Sequence, residues 1–255
     1  MPKLESFSNN KRLPASLIIA ILLIAPFSTQ AQDWSIYDDL LAQHVTPAER
    51  QGVTHNRVNY QALRQDLRYP QLLALVENHS VAALTERSEQ LAFYINAYNI
   101  YAIKMVIDNL PLESIRDAGS FFSPVWKKPV GRIGGKVVTL DEIEHAILRT
   151  MGEPRIHFAI VCASLSCPDL RMEAFRADRL GQQLEEQTQG FLNDASKGLI
   201  LSGTSVRVSQ IFDWFADDFT AAGGVEAFVR RYRDLPEGIS PRANLPYNWS
   251  LNGLL

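Results

Sequence analysis

Between Thr85 and Leu110 the chain places Leu91, Phe93, Tyr94, Ile95, Tyr98, Ile100, Ile103, Met105, Val106 and Ile107 so closely that a helix there has almost no polar side. A helix that is apolar all round has to be buried, so this one predicts the centre of the fold. It must end near Leu110, because Pro111 cannot donate a backbone bond and restricts the residue before it. Two polar residues interrupt the segment. Asn96 and Asn99 lie three apart and share a face, and each amide costs about 1–3 kcal/mol if buried unpaired. They must meet either the backbone of a neighbouring loop or the polar floor of a cleft.

Around this centre, Trp34, Tyr37, Leu40 and Leu41 recur at helical spacing, and Leu72, Leu73, Leu75 and Val76 do so again after Pro70. An extended piece from Val53 to Tyr60 separates these two amphipathic helices. Val130–Ile133 and Val137–Leu140 read as a hairpin around Gly134-Gly135, a pair suited to the positive φ angles of a two-residue turn. Thr139 with Glu142 is a capping box, so a helix runs from about Leu140 to Met151, closed by Gly152 and Pro154. The alternating, β-branched run from Arg155 to Ala163 predicts a buried strand. A helix over roughly Asp178–Asn193 follows, then a second hairpin around Gly203. Ser209 caps a short aromatic helix carrying Phe212, Trp214 and Phe215.

These elements predict an α+β domain, mainly helical, with a small antiparallel sheet and a long buried central helix. No linker or repeat divides it, and 46% hydrophobic residues in 255 supply a sizeable core. With 25 Lys+Arg against 28 Asp+Glu the net charge is −3, which argues against a general nucleic-acid binder.

The first 31 residues read as a secretory signal. Lys11 and Arg12 precede the apolar run Leu17–Phe27, and Thr29-Gln30-Ala31 offers small residues for cleavage after Ala31. Eleven apolar residues fall short of the roughly 20 needed to cross a bilayer as a helix, so no stable membrane anchor is expected after cleavage. Losing Lys3, Lys11, Arg12 and Glu5 leaves 22 basic and 27 acidic residues in a single globular domain, 32–255. The expected location is the periplasm or the exterior.

Four separated motifs occur in order: Leu91-Ala92-Phe93-Tyr94-Ile95-Asn96-Ala97-Tyr98-Asn99; Leu140-Asp141-Glu142-Ile143-Glu144-His145; Arg155-Ile156-His157-Phe158-Ala159 through Cys162-Ala163-Ser164-Leu165-Ser166-Cys167-Pro168; and Ser209-Gln210-Ile211-Phe212-Asp213-Trp214-Phe215 with Asp217-Asp218-Phe219. Together they resemble the domain-of-unknown-function family 547 over nearly all of the mature chain. The closing Tyr247-Asn248-Trp249-Ser250-Leu251-Asn252 resembles the family's last motif, with Asn248 where Asp is expected. The resemblance implies a family without an established reaction.

Cys162 and Cys167 are the only cysteines. An even count in an oxidising compartment favours a disulfide worth roughly 2 kcal/mol, while a thiol nucleophile and a metal ligand stay open. On an extended strand His157 would sit roughly 16 Å from Cys162 and on the opposite face, so a base must come from elsewhere. His145 can supply it, with Asp141 one turn behind and Glu144 adjacent; a solvated helix face with a local ion pair is the plainer reading. The enzymatic reading is a hydrolase or acyl-transfer protein of thiol-peptidase type, with Cys162 as nucleophile, His145 as base, Glu144 as orienter and Asn96 as polar stabiliser. Asn99, His157, Ser166 and Cys167 are further candidates around the same site. The rival is a binding or scaffold domain in which the cysteines form a staple and the Asn and His residues knit the core. Zinc ligation by His145, His157, Glu144 and a thiolate lacks the usual ligand spacing, and no dinucleotide or phosphate loop appears, so no cofactor is implied. Either reading takes an unknown small-molecule or peptide ligand.

Overall fold

The computed structural model describes Lys3 and residues 32–254, so the signal segment otherwise lies outside the described residues. From Ser35 the chain forms α1 (Ser35–His44), the hairpin of β1 (Val45–Arg50) and β2 (Val53–Asn59), then α2 (Tyr60–Gln65) and α3 (Tyr69–Glu77). The apolar stripes of α1 and α3 bury Tyr37, Leu40, Leu41, Leu72 and Val76, as their spacing predicts.

Helix α4 (Arg87–Asp108) follows, opened by a capping box in which Glu86 and Glu89 bond each other's backbone. Every residue from Leu91 through Ile103 is buried, so the apolar helix is indeed the centre. Strands β3 (Pro129–Ile133) and β4 (Lys136–Thr139) pair antiparallel around Gly134-Gly135, whose φ angles are +56° and +79°. The second capping box also forms: Thr139 N–H donates to Glu142 Oε2 at 2.8 Å and Glu142 N–H to Thr139 Oγ1 at 3.0 Å. The helix it starts is unusual, for Glu142–Leu148 is wound as a π-helix before a 3-10 turn, Arg149–Met151, ends at Gly152.

The buried strand expected over Arg155–Ala163 does not form. Pro154–Phe158 is a 3-10 turn started by Pro154 and by the Glu153 carboxylate, which accepts from Arg155 N–H. The residues after it run irregularly, and the backbone of 159–161 finds its partners on α4 instead of on a neighbouring strand. Asn99 Nδ2 donates to Ala159 O at 2.9 Å, and Asn99 Oδ1 accepts from Val161 N–H at 2.9 Å. One amide side chain thus does what a sheet ladder would have done.

The rest is α5 (Leu180–Asn193), β5 (Leu199–Ser202), β6 (Ser205–Ser209), α6 (Ile211–Trp214), a 3-10 turn over Ala216–Ala222, α7 (Gly224–Arg230), β7 (Arg242–Leu245) and β8 (Gly253–Leu254). The domain is α+β and mainly helical. Its strands form three small sheets, β1-β2-β8, β3-β4 and β5-β6-β7, and the pairings of β8 with β2 and β7 with β6 are parallel. Two apolar clusters fill it: one around α4, and one around Phe158, Phe191, Phe212, Phe219 and Phe228. The C-terminal stretch returns over the cysteine loop, where Leu165 N–H donates to Ser250 O, Ser166 N–H to Asn248 O and Asn252 N–H to Ala163 O. That strap fixes a loop in which Ala163 holds a φ of +57°, a sparsely populated value for a residue with a Cβ.

Candidate active site

A cavity of about 350 Å³ opens where the two apolar clusters meet, and it gathers residues from α4, the π-helix, the cysteine loop, α6 and the C-terminal stretch. One wall is aromatic. Trp126, Trp214, Phe215, Tyr247 and Trp249 line it, with Trp214 stacked on Trp249 at 5.6 Å and Tyr247 4.6 Å from Trp249. Glu144, His145 and His157 also line the cavity, and the cysteine loop contributes both Cys162 and Cys167.

Glu144 leaves the π-helix toward α4, where Tyr98 donates to its Oε2 at 3.2 Å. A π-helical turn is often found where a side chain has to be re-aimed at a site. Burial pushes the Glu144 carboxyl up to about 7, outweighing the Tyr98 hydrogen bond and the attraction of Arg149. It can therefore hold a proton near neutral pH.

His157 is 3% exposed, stacks on Phe215 at 4.0 Å, and joins its Nε2 to Asp218 Oδ2 at 2.7 Å. Its Nδ1 has no hydrogen-bond partner among the described residues. Burial lowers its pKa to about 4 despite Asp218, so the ring is neutral at pH 7. Asp218 is also gripped by Arg149, whose Nε and Nη2 donate to its two oxygens at 2.7 and 2.8 Å. Burial works to raise the Asp218 pKa, but the hydrogen bonds from Arg149 and His157 win and hold it low. A carboxylate accepting from Nε2–H fixes the tautomer in which Nδ1 carries the free lone pair.

Several predicted site residues meet here and others do not. Glu144, His145, His157, Cys162 and Cys167 share the cavity, so the expected separation of His157 from Cys162 on opposite faces falls with the strand that implied it. Cys162 and Cys167 are joined by a disulfide, and a sulfur held in that bond has no thiolate with which to attack. Glu144 does not orient His145: His145 Nδ1 lies 2.9 Å from Arg149 Nη1, and its Nε2 is 3.7 Å from Asp141. The His145 side chain is 41% exposed and its pKa is lowered, by burial first and then by Arg149 against the pull of Asp141.

Asn96 is away from the cavity. It clasps the backbone of Phe175, donating to the carbonyl at 2.8 Å and accepting from the N–H at 2.9 Å. Asn99 holds the 159–161 backbone, and Ser166 Oγ accepts from Asn248 N–H at 2.8 Å, so both shape the cavity loop without lining it. Asn248 Oδ1 in turn accepts from Ser250 N–H, a turn that a carboxylate at this position could equally make.

Sequence reasoning missed Asp218, Arg149, Tyr98 and the aromatic wall. Asp218 and Trp214 stand inside the fourth motif, and Tyr247 and Trp249 inside the closing one; only contacts made across the fold give them roles. Among the described residues no group of three His, Cys, Asp or Glu side chains is placed to hold a metal ion, and no helix is long and apolar enough to cross a membrane.

Residues 81–192 match the family model described as a protein of unknown function, DUF547. The matched stretch holds α4, the π-helix, the cysteine loop and nearly all of α5. Neither a curated protein nor a solved structure matches the chain.

Proposed function

We propose, from the premise that this chain carries a DUF547 domain across residues 81–192, that it is an exported acid–base hydrolase of small or peptide-like substrates bearing an apolar group. The observation that carries the reading is the His157–Asp218 hydrogen bond of 2.7 Å beside a carboxyl, Glu144, held protonated to about 7. Two titratable groups whose pKa values are moved in opposite directions, the imidazole down and the carboxyl up, divide the roles of base and acid. His157 Nδ1 takes a proton from a water as its oxygen attacks the substrate carbonyl. Glu144 gives its proton to the leaving amine or alkoxide, and solvent returns the proton from His157 to Glu144. Asp218 orients the ring and Arg149 keeps Asp218 charged. The aromatic wall takes the substrate's apolar side. Water replaces Cys162 as nucleophile, because the Cys162 sulfur is committed to Cys167.

A screen of p-nitrophenyl esters and aromatic aminoacyl p-nitroanilides tests this. Hydrolysis by the parent, falling about 10²–10⁴-fold in kcat for both His157→Gln and Glu144→Gln, is the expected result. Tryptophan fluorescence that responds to these compounds without turnover would favour the second reading, a binding or scaffold domain, which the disulfide staple at the cavity supports. Export to the periplasm or exterior rests on the segment 1–31 and is tested by N-terminal sequencing of envelope-fraction protein, with Gln32 expected first.

A further inference from the structure

The cysteine bridge sits in the wall of a ligand-sized cavity, whereas a purely structural staple has no need of such access. Its two sulfurs are unequal. Cys167 is 3% exposed and Cys162 is only partly buried, so an incoming group reaches Cys162 Sγ more readily. The donors differ in kind: the Tyr247 hydroxyl lies within reach of both sulfurs, 3.2 Å from Cys167 Sγ and 3.3 Å from Cys162 Sγ, and Ser164 Oγ is 3.2 Å from Cys162 Sγ, but a fixed backbone N–H, that of Cys162, points at Cys167 Sγ alone at 3.0 Å. A backbone N–H held in place by the loop, with the Tyr247 hydroxyl beside it, stabilises negative charge on Cys167 Sγ, and a better-stabilised thiolate is the faster leaving group in thiol–disulfide exchange.

We propose that the Cys162–Cys167 disulfide is an exchange centre for thiol-bearing ligands that enter the cavity. The ligand thiolate attacks Cys162 Sγ, forming a new S–S bond. The Cys162–Cys167 bond breaks with its electron pair going to Cys167 Sγ, where the Cys162 N–H and Tyr247 hydroxyl receive the charge. A second thiolate then attacks the ligand sulfur of the mixed disulfide and releases Cys162 as thiolate. Two ligand thiols become one disulfide, losing two electrons and two protons, and the protein takes up both as the dithiol. This activity goes beyond the hydrolytic reading and needs neither His157 nor Glu144 as acid or base.

The test uses glutathione and the whole folded chain. Protein is incubated with reduced glutathione, quenched in acid, alkylated and weighed intact, while circular dichroism follows the fold. The expected result is loss of the disulfide with the native spectrum unchanged, and a rate about tenfold lower in Tyr247→Phe, which keeps the ring and removes the donor. In the single-cysteine variants treated with oxidised glutathione, Cys167→Ser is expected to accept glutathione on Cys162 at least tenfold faster than Cys162→Ser accepts it on Cys167. Reduction only under denaturing conditions, or equal reactivity of the two sulfurs in folded variants, overturns the proposal. The parent measurement stands even if a cysteine variant fails to fold.

Discussion

His157 and Glu144 pull the molecule's pH response in opposite directions. His157 has its folded pKa lowered to about 4, so as the pH falls from about 6.5 the unfolded chain takes the proton first and stability is lost down to about 4. Glu144 has its folded pKa raised to about 7, so the stability it lends is complete below about 4.5 and disappears as the pH rises through 7. Between about 4.5 and 6.5 the two slopes offset one another. Glu144→Gln removes one of them. Its melting free energy relative to the parent is expected to move in the variant's favour by about 3 kcal/mol between pH 4.5 and pH 8. A difference that stays constant across that range would place the carboxyl at an ordinary pKa. Asp218 serves both Arg149 and His157, so Asp218→Ala is expected to cost about 2–3 kcal/mol at pH 7 in thermal melts, since two donors lose their acceptor.

At the scale of elements, α4 acts as a scaffold whose two amides hold two loops. Asn96 clasps Phe175, and Asn99 clasps Ala159 and Val161. Either residue changed to Ala strands a buried N–H and a buried carbonyl, with an expected loss of about 2–3 kcal/mol in urea denaturation. His145→Ala is expected to stay within about 1 kcal/mol of the parent, because the side chain is 41% exposed and bonded only to its own helical neighbours. The contrast separates positions that hold buried loop backbone from one that rims the cavity. Asn99→Ala has a further consequence: with 159–161 released, the segment that follows His157 loses its anchor on α4, so any turnover that uses His157 falls along with stability.

The whole molecule closes on itself through its last residues. The strap supplies Tyr247 and Trp249 to the cavity, bonds the backbone of Ala163, Leu165 and Ser166, and adds β8 in parallel to β2. A chain ending at Pro246 is therefore expected to lose at least about 3 kcal/mol by urea midpoint, five backbone bonds and two large half-buried rings going together. It should also become sensitive to proteolysis near residues 162–167. Unchanged protection of that loop would mean that the strap merely covers a loop already fixed by the disulfide and Asn99.

The local rules carried most of the elements. An apolar, Pro-terminated run made α4 central, two Gly turns gave both hairpins, and Thr139 with Glu142 began a helix, because each depends on residues within a few positions of one another. The same locality misread Arg155–Ala163. Its alternation matches a strand, but the donors and acceptors that decide its backbone sit on Asn99, some 60 residues away. The cavity was beyond local reading for the same reason. The motifs named Glu144, His157 and Cys162, yet their meeting with Asp218, Arg149 and the aromatic wall requires the π-helix, the irregular loop and the returning strap to pack at once. Periodicity fixes which face of an element is buried; only packing of distant segments sets which polar groups face each other, and that alone lowered the pKa of one histidine and raised that of one glutamate.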